Sequence, residues 1–379
     1  MTSELSSLCS YAKGKVSVDT LSKRNYVSTE NMMPNKGGIV DAGALPSAQY
    51  TQQYIKDDIL VSNIRPYFKK IWMADDDGGC SNDVLVFRAD RGCDSTFLYY
   101  ILANDAFFNY ASATSKGTKM PRGDKTAIMQ YKVPCFNYET QLRIGKLLRS
   151  IDDRIAVNKK INDNLQQQLF SLYENMATAS PCLKEYTLSN LCDFQEGYVN
   201  PPQTHPEYFD GEVKWLRAVD INESFIIETS RTLTKAGFES AKKSALLFEP
   251  NTMAISKSGT IGRLGIIADY MCGNRAVINI APHDTNMLAF IYCFLKSKQR
   301  EFPDMAVGSV QKNLYVSLLE PLSVSIPDNE SLTAFNAVGA SILGMIHNNC
   351  VENTDLANLR DTILPKLMSG EIDVSSVLL

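Results

Sequence analysis

Residues able to perform catalysis are sparse along this chain. Its three histidines, His205, His283 and His347, lie far apart, so they offer little material for a general base or a metal site, and we expect them at the surface. The sequence has no Walker-type phosphate loop, no dinucleotide-binding fingerprint and no nucleophile elbow. Its nine cysteines form no Cys-x-x-Cys pair, so neither a zinc site nor a disulfide framework is predicted. We therefore expect no catalytic residues, no metal and no cofactor of its own.

One short motif could still indicate an enzyme. Asn200-Pro201-Pro202-Gln203 resembles the Asn-Pro-Pro-aromatic motif of amino-methyltransferases, in which the asparagine binds the target amine and the aromatic ring stacks on the flipped base. Here Gln203 replaces the aromatic residue, and no glycine-rich cofactor loop precedes the motif. The favoured interpretation is a proline-rich surface turn. A stand-alone adenine methyltransferase is the alternative, and it predicts cofactor binding by the purified chain.

Basic and aromatic residues in predicted loops are stronger candidates for a functional surface. Lysine and arginine suit phosphate anchoring, whereas glutamine suits hydrogen bonding to base edges. Glycine-containing loops at residues 115–125 and 308–315 fall at matching places, each before the last predicted strand of its half. The candidates for nucleic-acid contact are Arg65, Tyr67, Lys69, Lys116, Lys119 and Arg122 in the first half, and Trp215, Arg217, Lys257, Arg263, Gln311, Lys312 and Tyr315 in the second.

The candidates divide into two expected roles. A single basic loop is usually only a solvated surface, but repetition at equivalent places favours a shared function. We expect Lys116, Lys119, Arg122, Lys257 and Lys312 to contact phosphates, and Arg65, Arg217, Gln311 and Tyr315 to approach bases.

The elements that carry these loops are duplicated. The segment Leu5-Ser6-Ser7-Leu8-Cys9 recurs 183 residues later as Leu188-Ser189-Asn190-Leu191-Cys192, followed in both copies by glycine and valine at matching positions. Each half combines short β-branched runs broken by glycine and proline with a long stretch that lacks both signals. The sequence therefore predicts a tandem α+β protein with two mixed α/β modules.

The two long stretches carry heptad patterns. Apolar positions separated alternately by three and four residues predict two long helices, the first roughly 50 Å long at ~1.5 Å per residue. Pro365 should kink or terminate the second helix. The predicted seam positions are Ile144, Leu148, Ile151, Ile155, Asn158, Asn162, Leu165, Leu169, Leu172 and Met176 in the first helix, and Phe335, Val338, Ile342, Met345, Asn349, Glu352, Leu356, Leu359 and Ile363 in the second.

Asn158 and Asn349 occupy equivalent seam positions, where a buried polar residue lowers stability but fixes register. We expect the helices to pair as an antiparallel coiled coil that holds the modules apart. The alternative is that both asparagines are exposed interruptions of two unrelated core helices. The predicted divisions are module 1 at 1–137, a central helical spacer at 138–179, module 2 at 180–328 and a C-terminal helical spacer at 329–379.

Composition is that of an ordinary globular protein. The 379 residues carry a formal charge of −4 and are 44% hydrophobic, which excludes disordered, collagen-like and highly charged chains. No apolar run approaches the roughly 18 residues that a membrane span needs. The first ten residues lack the basic start and apolar core of a secretion signal, so we expect a cytoplasmic protein.

Several motifs together resemble a known family over essentially the full length, that of specificity (S) subunits of type I restriction-modification systems. The motifs are Tyr138-Glu139-Thr140-Gln141, Ile151-Asp152-Asp153-Arg154-Ile155, Asn164-Leu165, Leu169-Phe170, Gly211-Glu212-Val213-Lys214-Trp215-Leu216-Arg217 with Asp220-Ile221, Ser258-Gly259-Thr260-Ile261-Gly262, and Leu364-Pro365-Lys366-Leu367-Met368-Ser369-Gly370-Glu371-Ile372. In that family two target-recognition domains alternate with two helical regions.

The resemblance implies a DNA-binding subunit without activity of its own. Such a subunit recruits two adenine-methylating modification subunits, and restriction subunits complete an ATP-dependent nuclease. S-adenosylmethionine, ATP and Mg would then be bound only by the partners, and each recognition domain would read one half of a split double-stranded target. The first module lacks the segment centred on Trp215 in the second, so the two half-sites should be unlike.

A structural role remains the main alternative. A non-catalytic scaffold could join two protein-binding modules through the same coiled coil, and it would bind no DNA at any salt concentration. Binding dominated by phosphates must instead weaken steeply as salt rises.

Overall fold

The computed structural model describes residues 2–179, 184–309 and 311–375. The chain divides into two compact units. Unit 1 comprises Met1–Arg154 with Leu356–Leu379, and unit 2 comprises Ile155–Asp355. Each unit contains one predicted module together with part of each long helix. Within the described ranges, no helix combines the length and the apolar character needed to cross a membrane.

Unit 1 is built on two four-stranded sheets. The first has the order β2-β9-β6-β7 with antiparallel neighbours, and the second has the order β3-β5-β8-β4 with β4 parallel to β8. A separate antiparallel pair joins β1 to β10. The strands are β1 Thr2–Glu4, β2 Cys9–Tyr11, β3 Lys15–Ser17, β4 Tyr26–Val27, β5 Tyr50–Tyr54, β6 Ile59–Ser62, β7 Ile71–Met73, β8 Gly78–Cys80, β9 Val84–Ala89 and β10 Lys132–Pro134. The helices that begin in this unit are α1 Ser95–Ala103, α2 Asp105–Ala113, α3 Lys125–Met129 and α4 Tyr138–Ala179.

Local sequence explains how these elements begin and end. All four residues of β6 are buried, as expected for a β-branched, apolar run at the centre of a sheet. The predicted helical stretch at residues 96–109 is two helices, because Asn104 has an extended backbone. The Asn104 side chain accepts a 2.9 Å hydrogen bond from the Ala106 amide and so caps the second helix.

Unit 2 repeats the main sheet of unit 1 with one added strand, and its second sheet has three strands instead of four. Its main sheet has the order β12-β19-β16-β17-β14, a second sheet has the order β15-β13-β18, and β11 pairs with β20. The strands are β11 Lys184–Thr187, β12 Cys192–Glu196, β13 Phe209–Leu216, β14 Phe225–Ile226, β15 Thr232–Leu233, β16 Met253–Ser256, β17 Leu264–Ile267, β18 Cys272–Gly273, β19 Val277–Pro282 and β20 Ser323–Ile326. The helices that begin here are α5 Lys235–Glu239, α6 Leu288–Lys298, α7 Phe302–Met305, α8 Val316–Leu319 and α9 Asn329–Ser369.

The two units share a topology that reflects the duplicated sequence. The order β12-β19-β16-β17 repeats β2-β9-β6-β7, and the pair β11-β20 repeats β1-β10. Unit 2 adds β14, which is parallel to β17. The prediction of two tandem mixed α/β modules is confirmed.

The long helices α4 and α9 pack against each other inside each unit. In unit 2, the Asn349 side-chain amide donates a 2.8 Å hydrogen bond to Asn162, and Asn158 donates a 2.7 Å bond to Glu352 and a 3.1 Å bond to Asn353. Residue numbers rise along α4 as those of its partners fall along α9, so the pairing is antiparallel. Asn158 and Asn349 therefore both lie in the polar part of the helix pair. They do not bond each other, because Asn349 bonds Asn162 while Asn158 bonds Glu352 and Asn353.

The same antiparallel pairing recurs in unit 1. Ile144 and Leu148 of α4 lie in one apolar core with Leu364 and Leu367 of α9. Pro365 does not terminate α9, which continues to Ser369.

Several predicted seam positions are wrong. The exposed fractions of Leu172, Val338, Met345 and Leu359 are 41%, 48%, 48% and 49%, so these side chains lie outside the seam. The neighbouring residue Tyr173 faces the core where Leu172 was predicted to do so, and its ring packs against those of Phe290 and Phe335. Each long helix packs both on the other helix and on a module core, so its buried face is wider than a two-helix seam. The buried hydrophobic side chains of α9 are those of Phe335, Ile342, Leu343, Ile346, Leu364 and Leu367.

Candidate nucleic-acid interface

In unit 1 the loop at residues 116–122 lies against the end of β6. Lys116 and Arg122 close the loop through two backbone hydrogen bonds of 2.8 and 2.9 Å. The Arg65 amide, just after β6, donates a 2.8 Å bond to the Pro121 carbonyl, and the Gly123 amide donates a 3.1 Å bond to Asn63. The structure thus brings together two sets of candidates that are about fifty residues apart in sequence.

Unit 2 has a closed loop at the corresponding place, residues 307–313. Val307 and Asn313 exchange backbone hydrogen bonds of 3.0 and 2.9 Å. The Leu314 amide then donates a 2.9 Å bond to the carbonyl of Lys257, the residue that follows β16. In the shared topology β16 corresponds to β6. Each closed loop therefore lies at the C-terminal end of the corresponding central strand of its own unit. Val310 lies outside the described residues.

Charge in unit 1 is separated along the β6–β7 hairpin. The connecting residues 63–70 contain Arg65, Lys69 and Lys70 and no acidic residue. The opposite end of the hairpin carries Asp57 and Asp58 before β6 and three further aspartates at residues 75–77 after β7. An anionic ligand is therefore attracted to the end that also carries the loop at residues 116–122.

The cations of the first loop are available to such a ligand. Lys116 contacts Asp124 at 2.5 Å and Arg122 contacts Asp83 at 3.0 Å, but the two basic side chains are 81% and 57% exposed. Exposed pairs of this kind contribute only about 0–1 kcal/mol, so phosphate can replace the carboxylate. Lys119 is exposed and has no ionic partner in the part of the chain that the structure describes.

Lys69 holds a shared carboxylate beside the hairpin. Its ammonium lies 2.8 Å from one oxygen of Asp105, while that of Lys36 lies 3.0 Å from the other. Burial opposes ionisation of Asp105, but the hydrogen bonds from Lys69 and Lys36 outweigh it and lower the pKa of the carboxyl. The three residues carry a net positive charge, and Lys69 is constrained to one position.

In unit 2, Lys257 forms an internal contact instead of presenting a free cation. Its ammonium lies 2.8 Å from Glu196 and 4.8 Å from the centre of the Tyr315 ring, and its side chain is only 13% exposed. Burial opposes ionisation of Glu196, but hydrogen bonds from Lys257 and Tyr198 lower the pKa of this carboxyl. The phosphate contact predicted for Lys257 would require this largely buried ion pair to break.

Trp215 is also a structural residue. Its ring is 5% exposed within a small core, and its indole N–H donates a 2.7 Å hydrogen bond to the Val199 carbonyl. The predicted DNA contact from Trp215 is wrong, because the residue lies beneath the surface. Arg217 is held beside it, with its guanidinium 5.6 Å from the Trp215 ring and 2.5 Å from the Ser230 hydroxyl.

The remaining candidates of unit 2 are accessible. Gln311 and Lys312 are exposed in the second closed loop, and Tyr315 is 39% exposed just after it. Arg263 is half-buried immediately before β17, the strand that pairs with β16. Lys312 and Arg263 have no ionic partner among the described residues, so both present free cations.

Comparison with known proteins identifies the family to which this geometry belongs. The sequence profile of the type I restriction modification DNA specificity domain matches residues 1–167 and again residues 183–354. This chain is a member of the type I restriction-modification specificity family. The resemblance in the sequence motifs is confirmed, and the two matches coincide with the two repeats.

Individual specificity proteins resemble the chain at low identity. It is 23% identical over 308 residues to the type I restriction enzyme MjaIX specificity subunit of Methanocaldococcus jannaschii, a match covering 76% of this chain and 71% of that one. It is 26% identical over 176 residues to the HindI specificity subunit of Haemophilus influenzae, covering 45% of this chain and 38% of that one. The crystal structure of a type I S subunit from M. genitalium shares the fold, with a TM-score of 0.57 and 18% identity over 97% of this chain and 96% of that one.

Two exposed aromatic residues were not among the contacts predicted from the sequence. Tyr198 is 51% exposed, and its hydroxyl donates a 2.8 Å hydrogen bond to Glu196 in the cluster with Lys257. Phe68 is 39% exposed beside Tyr67, with their ring centres 4.8 Å apart. The repeat contained a usable signal for Tyr198, because this residue follows the glycine that corresponds to Gly14.

The three histidines differ in their exposure. His205 and His283 are exposed, as predicted, whereas His347 is half-buried with its ring 5.0 Å from that of Phe225. Across the described ranges, no group of three or more His, Cys, Asp or Glu side chains is arranged to hold a metal ion.

Proposed function

We propose that this chain reads a bipartite double-stranded DNA target, with one half-site contacted by each module. The observation that carries the proposal is the repeated closed loop, at residues 116–122 and 307–313, placed at the same end of corresponding strands. Lys119 in the first loop and Lys312 in the second are exposed cations suited to phosphates, and Gln311 is an exposed amide suited to a base edge. The unlike residues of the two loops favour unlike half-sites.

The chain acts in this proposal as a recognition subunit without catalysis of its own. It recruits two adenine-methylating modification subunits and, with restriction subunits, forms the complete complex. S-adenosylmethionine, ATP and Mg are bound by those partners, in keeping with the lack of phosphate-loop and dinucleotide motifs in this sequence. The complex works in the cytoplasm, where its DNA substrate lies.

The test is a genome-wide map of methyladenine in a clean host that expresses this chain with the modification subunit encoded beside it. The expected result is a split motif, with two short unlike halves around a fixed gap. Exchange of the first module for that of another family member should change one half only, which assigns each half to its module. If the two proteins co-purify and no methylation appears, the scaffold interpretation replaces the proposal.

A further inference from the structure

The turn between β6 and β7 of unit 1 is aromatic, unlike the corresponding connection of unit 2. The turn consists of Pro66–Phe68 and its flanking residues Arg65 and Lys69, between β6 and β7. Tyr67 and Phe68 project from it with exposed fractions of 52% and 39%. In unit 2 the corresponding connection from β16 to β17 is the glycine-containing run at residues 257–263, which carries no Phe, Tyr or Trp.

The backbone of this turn is strained and firmly held. Arg65 and Lys69 have φ angles of 50° and 52°, a left-handed conformation that disfavours side chains other than glycine. Two backbone hydrogen bonds of 2.8 Å fix the turn, from the Asn35 amide to Phe68 and from the Lys36 amide to Lys69. The carboxylate of Asp105 bridges the ammonium groups of Lys36 and Lys69. The aromatic pair is therefore presented on a rigid support.

The surroundings of the turn favour DNA as its ligand. The turn lies at the basic end of the β6–β7 hairpin, away from the aspartates at residues 75–77, and the Arg65 amide bonds the loop at residues 116–122. The Nε atom of Arg65 is buried and has no acceptor among the described residues. An exposed apolar tip bordered by cations is the arrangement with which proteins insert a wedge between base pairs, unstack them and kink the duplex.

We propose that Tyr67 and Phe68 form a wedge that inserts at one base step of the half-site read by module 1 and kinks the DNA there. This inference rests on the proposed function, because it requires that module 1 binds DNA. The wedge makes the modules read DNA differently, since module 2 presents only a glycine-containing turn at the corresponding place. Part of the selectivity of module 1 then comes from how easily a base step unstacks.

The test uses the full chain with its modification subunits and a duplex carrying the mapped target. 2-Aminopurine is placed at successive positions of both half-sites, because its fluorescence rises when a base unstacks, and dyes at the DNA ends report bending. The variants are Tyr67→Ala with Phe68→Ala, and Tyr67→Leu with Phe68→Leu. Tyr50→Ala is the matched control, since Tyr50 is a 54% exposed aromatic residue elsewhere in unit 1.

Besides the target adenines, which the modification subunits flip in both half-sites, the wild-type complex should show raised fluorescence at one further step of the first half-site, together with a bend of about 20–90°. The double alanine variant should lose both signals and bind the target roughly 5- to 150-fold more weakly, the range for lost base–aromatic contacts. The double leucine variant should retain the unstacking, because leucine also acts as a wedge. Fluorescence in the second half-site should be the same in the wild type and in the double variants. Tyr50→Ala should match the wild type in fluorescence, bend and affinity.

Three results would overturn the inference. In the first, the double alanine variant keeps wild-type affinity, fluorescence and bend. In the second, it keeps its DNA signals but no longer co-purifies with the modification subunit, which makes the aromatic pair a protein contact. In the third, the wild-type complex binds its target with no unstacked step other than those at the flipped target adenines. Failure of the wild-type complex to bind any target DNA would instead refute the proposed function, and the wedge with it.

Discussion

Arg360 of α9 should stabilise unit 1 through a carboxylate that it shares with a module helix. Its guanidinium lies 2.6 Å from one oxygen of Asp152 in α4, while the Tyr100 hydroxyl of α1 donates a 2.5 Å hydrogen bond to the other oxygen. The Arg360 and Asp152 side chains are 22% and 26% exposed, so water screens the pair only partly. This cluster joins both long helices to the core of module 1.

Replacement of Arg360 by methionine leaves Asp152 mostly buried without its cation. Breaking a fully buried pair costs about 3–5 kcal/mol, and losing one hydrogen bond to a charged group costs about 1.5–3 kcal/mol. Because roughly a quarter of each side chain is exposed, we expect a loss of about 2–3 kcal/mol from the free energy of opening of unit 1. Arg149→Met is the matched control, since it removes a 2.8 Å pair with Asp153 whose side chains are 53% and 58% exposed.

Native-state hydrogen exchange measures this free energy locally. Amides of α1 in Arg360→Met should exchange roughly 30- to 160-fold faster than in the wild type, whereas those of α6 in unit 2 should not change. The control should shift the opening free energy by less than about 0.5 kcal/mol. Combining Arg360→Met with Tyr100→Phe should give less than additive losses, because both contact one carboxylate. Equal exchange in Arg360→Met and Arg149→Met would refute the reasoning.

Other residues give further predictions. Lys119→Ala and Lys312→Ala should each weaken binding equally on target and random DNA and reduce the salt slope by about one, as titrations at several salt concentrations will show; loss on target DNA alone would contradict a phosphate role. Trp215→Phe should cost unit 2 about 1–3 kcal/mol, measured by urea unfolding, because it leaves the buried Val199 carbonyl without a donor; an unchanged midpoint would contradict this. The lowered pKa of Glu196 stabilises unit 2 above the ordinary value of 4.5, and that stability is lost as pH falls through the folded pKa. The unfolding free energy of Glu196→Gln should therefore depend less on pH than that of the wild type between about pH 5 and 3. An equal pH dependence in the two proteins would exclude this role for Glu196.

The fold follows from the sequence wherever a pattern is repeated or long. The 183-residue repeat predicted the duplicated topology, and the heptads predicted the long helices. The detailed seam did not follow, because a heptad describes packing against one neighbour. Tyr173 is half-buried whereas Leu172 is exposed, because α4 also contacts the module core through Phe290.

The candidate site was only partly predictable, because residue type does not reveal a partner that is distant in sequence. Lys257 is of the residue type expected at a phosphate contact. Its ammonium instead pairs with Glu196, which lies 61 residues earlier in the chain. Trp215 is of the residue type expected to stack on a base. Its indole N–H instead donates a hydrogen bond to the Val199 carbonyl inside a core. Lys119 and Lys312, predicted to contact phosphates, are exposed in the two closed loops.

The two-stranded pairs that bound each module have a genetic consequence. Thr2 of β1 lies opposite Pro134 of β10, and Lys184 of β11 lies opposite Ile326 of β20. The chain therefore leaves each module beside the point where it began, as in domains that tolerate insertion into another protein. A crossover between related genes at the codons of these paired strands would transplant an intact cassette and leave the codons of both long helices unchanged. A population carrying such genes could acquire a new DNA specificity in a single recombination event, without waiting for stepwise mutation.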